Sequence, residues 1–136
     1  MLIREITENI KTEAIAPHGD PKNEFQLMAA GAKPAAIVSP DHFKKMYEPV
    51  AEDYGWYYHQ MSIPGVKYNN YVVAVDKNVL NRIVEMLTEM NTNMLKGIDP
   101  GDAYHRELGQ LLGYPRGDIE HFIVHNRELK KRQNGH

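Results

Sequence analysis

Residues 56–75 read WYYHQMSIPGVKYNNYVVAV, and this stretch decides the fold. Trp56 to Ile63 is rich in aromatic residues and predicts a strand. Pro64-Gly65 is a turn dipeptide that suits positive φ at the glycine, and Tyr68 to Val75 supplies a second β-rich run. The stretch therefore predicts a β-hairpin. Tyr71, Val72, Val73, Ala74 and Val75 are apolar without alternation, the pattern of a strand covered on both faces. This second strand should lie in the middle of its sheet, with Val72, Val73 and Val75 buried.

Working outward, Ala35 to Val38 predicts an earlier strand. Ser39 before Pro40 is a helix start, and Phe43, Met46, Tyr47, Val50 and Tyr54 follow at steps of three and four. Pro49 interrupts that stripe and predicts a kink or restart, with Gly55 closing the segment. Further upstream, Leu2, Ile3, Ile6, Ile10 and Ala14 share one helical face, predicting an amphipathic helix over 2–16. Asp20 and Pro21 open a second helix that Gly31 stops. After the hairpin, Asp76 caps a helix with the stripe Val79, Leu80, Ile83, Leu87 and Met90. Asn91 to Met94, Gly97 and Asp99-Pro100-Gly101 form the expected linker to a C-terminal unit.

These elements predict a single α+β domain over 1–136: N-terminal helices in 1–31, a strand-helix-hairpin-helix core in 35–95 and a C-terminal helical hairpin in 102–130. A strand-helix-strand crossover should set the first two strands parallel, and the hairpin adds an antiparallel neighbour, so the three-stranded sheet is expected to be mixed.

Residues 102–125, DAYHRELGQLLGYPRGDIEHFIVH, are the most patterned part of the chain. Tyr104, Leu108, Leu111 and Leu112 make one apolar face, Gly109 permits close helix approach and Gly113 can end the helix. Asp118 is the expected cap of a second helix carrying Ile119, Phe122 and Ile123. The stretch resembles a bacterial family of unknown function whose members end in H-E-x-G-x-x-L-G-Y-P-x-x-D-[IV]-x-x-F-I. Here the matching residues are His105, Glu107, Gly109, Leu112, Gly113, Tyr114, Pro115, Asp118, Ile119, Phe122 and Ile123, with the histidine-to-glutamate spacing one residue longer. Gly31-Ala32-Lys33-Pro34-Ala35 and the run from Tyr71 to Leu87 are also similar to that family, whose cysteines are absent from this chain. The resemblance implies a shared fold and carries no activity. The steps Gly109, Gly113, Ile119 and Phe122 also fit a DNA-binding helix-turn-helix. A recognition helix opening on Asp118 and Glu120 would turn carboxylates toward phosphates, however, which argues against that role.

The chain has 136 residues, 42% of them hydrophobic and 25% charged, with a formal net charge of −2 and no cysteine. Such a composition folds without staples, and the lack of cysteine removes thiolate chemistry and fits a reducing compartment, so a cytoplasmic location is expected. Neither a signal peptide nor a membrane span is expected from the apolar patterning. The one basic cluster, Arg127, Lys130, Lys131 and Arg132, is expected to be a solvated helix end.

No Gly-rich phosphate loop, serine elbow or His-Glu-x-x-His stretch is present, so no cofactor is expected. Candidates for acid-base work are His59, His105 and Glu107. Candidates for a ligand or partner surface are Trp56, Tyr58, Tyr114 and Arg116, since aromatic residues offer broad contact with a polar handle. His121 and His125, four apart, are the residues that would hold a metal, although none is expected. The first functional reading is a non-catalytic binding or regulatory module acting through a protein partner or by self-association. The alternative is a small enzyme or small-molecule-binding protein with a pocket between the β-hairpin and the C-terminal helices. A third reading is a nucleic-acid binder.

Overall fold

The computed structural model describes residues 21–66 and 69–134. The helix expected over 2–16, the Asp20 cap and Tyr68 lie outside the described residues. Helix α1 (Pro21–Ala29) leads into strand β1 (Ala35–Val38). A short helix α2 (Pro40–His42) then passes through a π-helical segment (Phe43–Tyr47) into α3 (Glu48–Tyr54). Strands β2 (Tyr57–Gln60) and β3 (Tyr71–Ala74) follow, then the long helix α4 (Lys77–Leu95). Helices α5 (Asp102–Leu111) and α6 (Arg116–Asn134) form the C-terminal hairpin.

Local chemistry explains most of these boundaries. Ser39 caps α2 by accepting from the His42 N–H at 3.3 Å, and Asp76 caps α4 by accepting from Asn78 and Val79 at 2.8 and 3.1 Å. The restart expected at Pro49 takes the form of a π turn immediately before it, in which the Glu48 N–H reaches back to the Phe43 carbonyl. One extra residue in the turn accommodates the donor that proline lacks. Gly55 closes α3 at φ 71° and Gly65 turns the hairpin at φ 82°. The expected cap at Asp118 is not formed there. Helix α6 begins at Arg116, immediately after Pro115, so Asp118 sits inside its first turn and is buried. The expected linker at 91–94 is also corrected, because α4 runs through it to Leu95.

The sheet order is β1-β3-β2 with both pairings antiparallel. The first two strands do run parallel to each other, but β3 lies between them, so the sheet is antiparallel throughout rather than mixed. Residue alternation on the strands divides the core in two. Ala35, Ile37, Val72 and Ala74 pack with Leu80, Ile83, Met86, Leu108, Leu112 and Ile123 on one face. Ala36, Val38 and Val73 pack with Phe43, Tyr47, Ala51 and Trp56 on the other. Covering on both faces is why β3 reads as a continuous apolar run. Val75 is 42% exposed, against expectation, because the strand has ended and it stands in the bend before the Asp76 cap.

Candidate functional site

The strands are four residues long, about 13 Å, whereas the 19-residue α4 extends about 28 Å. The second half of α4 therefore overshoots the sheet. Its apolar stripe continues there through Leu87, Met90 and Met94, and what faces it is the β2–β3 loop and the C-terminal hairpin. The loop is shaped by its own hydrogen bonds. Met61 N–H donates to the Asn70 carbonyl at 2.9 Å, Ile63 N–H to the Asn69 side chain at 3.0 Å and Val66 N–H to the Ile63 carbonyl at 3.1 Å.

Between these parts lies a chamber of about 370 Å³. Ile37 and Met61 come from the sheet side, Ile63 and Val66 from the loop, Leu108 from α5 and Phe122 from α6. Asn69, Asn70, Asn91 and His105 supply its polar edges. Helix α5 is fixed against α4 by the Tyr104 hydroxyl, which donates to the Met86 carbonyl at 2.8 Å, and by Arg82, which binds Glu107 at 2.6 and 2.8 Å. Burial and the Glu89 carboxylate push the Tyr104 hydroxyl up to about 12. Helices α5 and α6 meet closely at Gly109, where an added Cβ would stand 2.7 Å from Ile119 Cγ1. The chamber is held open by this frame of contacts.

A second feature is polar and buried. Glu24, Lys33 and Tyr114 are 1%, 3% and 9% exposed. The Tyr114 hydroxyl donates to Glu24, and Lys33 Nζ donates to the Leu112 carbonyl, lying 3.9 Å from the Glu24 carboxylate and 4.0 Å from the Tyr114 ring centre. Burial pushes the Lys33 ammonium down to about 8, and Glu24 opposes that shift. The Tyr47 hydroxyl is buried with no hydrogen-bond partner among the described residues, and burial together with Glu24 holds it protonated above its ordinary range. Gly113, at φ 80°, lies against Pro34, so the 31–35 stretch and the Gly113-Tyr114-Pro115 turn meet here. This node fastens the C-terminal hairpin to the β1 side of the domain.

The candidate residues named from the sequence are dispersed. His105 lines the chamber, edge-on to Phe122 with ring centres 5.3 Å apart. Glu107 pairs with Arg82, whose hydrogen bonds hold its carboxyl below the ordinary range, so it is committed to α4. His59 is exposed on the edge strand β2. Trp56, expected at a binding surface, is a core residue stacked on Tyr54 at 4.6 Å. Tyr114, also expected at a surface, is buried in the polar node, since its ring fills the space beneath the hairpin turn. Tyr58 is exposed and tilted against Phe43 at 4.8 Å. Arg116 is exposed at the start of α6. His121 and His125 are exposed, and among the described residues no three histidine, aspartate or glutamate side chains group to hold a metal. No helix among the described residues is long and apolar enough to cross a membrane.

Sequence reasoning missed Glu24 and Lys33 as a buried pair. The signal was a lone lysine between Ala32 and Pro34 at the entrance to an apolar strand. It also assigned Met94 to a linker, although Met90 and Met94 continue the α4 stripe at a step of four. The fold and site together define an α+β domain with a sheet between two helical layers and an apolar chamber beyond the sheet end. Compared with models of known protein families, with curated proteins and with solved structures, the chain matches none.

Proposed function

We propose that the protein is a non-catalytic binding module that takes a small apolar molecule in the chamber between the β-hairpin and the C-terminal helices. The observation that carries this reading is the chamber itself: about 370 Å³, walled mainly by aliphatic, methionine and phenylalanine side chains, with a few amides and one imidazole at its edges. Ligand sites are concave, largely apolar and supplied with a few orienting polar groups, and this volume falls at the lower end of their range. Methionines at three points of the wall suit a surface that adapts to its ligand. Binding is favoured over catalysis because, among the described residues, no carboxylate lines the chamber itself, and Glu107 is engaged by Arg82. General acid-base work needs both geometry and a matched partner.

The test uses methyl-labelled methionine. Titration with naphthalene should shift the methyl signals of Met61, Met90 and Met94, which line the chamber, and leave Met28 and Met46 in the opposite core unmoved. Met90→Trp should fill the chamber and abolish the response. Uniform small shifts, or none, would overturn the reading.

One observation favours a protein partner as a second reading. Strand β2 is a sheet edge, and Tyr54, Tyr57 and Tyr58 near it are each about half exposed. An exposed edge with aromatic side chains can pair with an added strand. A concentration-dependent sedimentation series on wild type and Tyr58→Lys tests it. Self-association weakened by the substitution supports this reading, and a monomer at all concentrations counts against self-association.

A further inference from the structure

We infer that the ligand is an uncharged molecule whose apolar body carries an acceptor oxygen of carbonyl type, received by the side-chain amide of Asn69; this specificity rests on the chamber being a binding site. Among the described residues, no aspartate, glutamate, lysine or arginine lines the chamber. A charged ligand would lose its hydration there with no permanent charge to pair it, which selects an uncharged one. The polar groups on the wall are three carboxamides, those of Asn69, Asn70 and Asn91, and the His105 ring. Which kind of ligand atom a carboxamide receives depends on the bonds it has already made.

Asn69 is the carboxamide whose orientation is fixed. Its side-chain oxygen accepts from the Ile63 N–H at 3.0 Å, and its backbone carbonyl accepts from the Gln60 side chain at 3.4 Å. The carbonyl of the next residue, Asn70, accepts from the Met61 N–H at 2.9 Å, so the segment is tied to the end of β2. The two ends of the Asn69 amide are not interchangeable, because the Ile63 N–H requires an acceptor. The oxygen is therefore spent within the loop, and the NH2 group is what Asn69 has left to offer. Among the described residues that nitrogen has no hydrogen-bond partner.

The other two amides do not set the same sign. Asn70 is exposed, and the Asn91 side chain, beside Met90 on α4, makes no hydrogen bond among the described residues and can present either end. An acceptor oxygen brought to Asn69 regains from the amide the hydrogen bond that it gave up in water. A ligand hydroxyl or amine hydrogen brought there would face N–H groups instead. A donor held in place before the ligand arrives also loses little freedom on binding.

The test uses three probes of one outline: 2-acetylnaphthalene, its apolar counterpart 2-isopropenylnaphthalene, and 2-naphthoate. They are titrated against the full chain and read by the methyl signals of Met61, Met90 and Met94. The ketone should bind at least as tightly as the alkene, although the alkene is the more apolar, and naphthoate should bind at least about tenfold more weakly than the ketone. The side-chain amide signals of Asn69 should move downfield with the ketone and not with the alkene. Asn69→Asp keeps an oxygen for the Ile63 N–H and replaces the donor by a second acceptor, ionised at pH 8. In that variant the ketone should weaken at least about fivefold relative to the alkene, the loss expected of a buried oxygen left unpaired. A ketone weaker than the alkene in wild type, naphthoate matching the ketone, or a ratio unchanged in Asn69→Asp would overturn the assignment while naphthalene binding still supports the chamber. If Asn69→Asp does not fold, the wild-type amide signals decide, and signals that stay in place with the ketone overturn it. Failure of naphthalene and of all three probes would overturn the binding site as well.

Discussion

Lys33→Met is expected to destabilise the protein by about 1–3 kcal/mol at pH 7, the cost of leaving the buried Leu112 carbonyl without its donor and Glu24 without its cation, offset in part by relief of the ammonium's own desolvation. The substitution keeps an unbranched side chain and deletes the ammonium. Glu24, 1% exposed, keeps the Tyr114 hydroxyl but loses the cation 3.9 Å away, and the Leu112 carbonyl loses its donor at the end of α5. The pH dependence gives an independent reading. Burial lowers the folded-state value of Lys33 from 10.5 to about 8, so between those values the unfolded chain binds more protons and stability rises with pH. From pH 8 to 9.5 the gain is roughly 1–2 kcal/mol, since the slope grows from half of 1.36 kcal/mol per unit at pH 8 toward the full value. Measurement should stop below pH 10. Above that value Tyr47 and Tyr104, whose hydroxyls are both raised by burial, reverse the slope, because tyrosine ionises first in the unfolded chain. Urea unfolding can be followed by Trp56, the single tryptophan, which is 7% exposed. The wild type should gain stability across pH 8 to 9.5, Lys33→Met should lose that rise, and adding Glu24→Gln should recover much of the loss. A Lys33→Met variant within about 0.5 kcal/mol of wild type at pH 7, together with a flat wild-type profile, would refute the reasoning.

Other expectations follow from packing. Gly113→Val should cost at least about 2 kcal/mol, because the position holds φ 80° and an added Cβ would run into Pro34; an unchanged midpoint in urea would contradict it. Val73→Asp should cost several kcal/mol or prevent folding, since Val73 is fully buried on the central strand and an aspartate there has no partner. A folded variant with the wild-type melting temperature would speak against that placement. Arg116→Ala and His121→Ala, both on the exposed side of α6, should each change stability by less than about 0.5 kcal/mol. In a low-salt gel shift with duplex DNA they serve as the controls, and micromolar binding by wild type that both variants lose would favour the nucleic-acid reading.

The parts of the fold legible in the sequence are those set by neighbouring residues. Ser39 and Asp76 announce their helices, Gly31, Gly55, Gly65 and Gly113 take the positive φ that their positions require, and the run from Tyr71 to Ala74 marks the central strand. Pairing direction was less legible, because which strand sits between β1 and β2 depends on the whole core and not on any one of them. Val75 was misplaced for a related reason: apolar character does not reveal where a strand stops. A pocket between the hairpin and the C-terminal helices was expected only as an alternative reading; a chamber lies there, and its lining residues were much less legible. Met61, Met90, Met94 and Phe122 carry ordinary core patterning, and only the mismatch in length between α4 and the strands turns their meeting place into a chamber. Trp56 and Tyr114 show the converse, since large aromatics with polar handles suit a binding surface and a crowded core equally well.

The most direct measurement is a crystal structure of the full chain grown with 1-bromonaphthalene, whose bromine can be located by anomalous scattering. Binding in the chamber predicts a bromine peak bounded by Ile37, Met61, Leu108 and Phe122, with the β2–β3 loop over it. A chamber filled by ordered water or by the chain's own residues, with the probe elsewhere or absent, would contradict it.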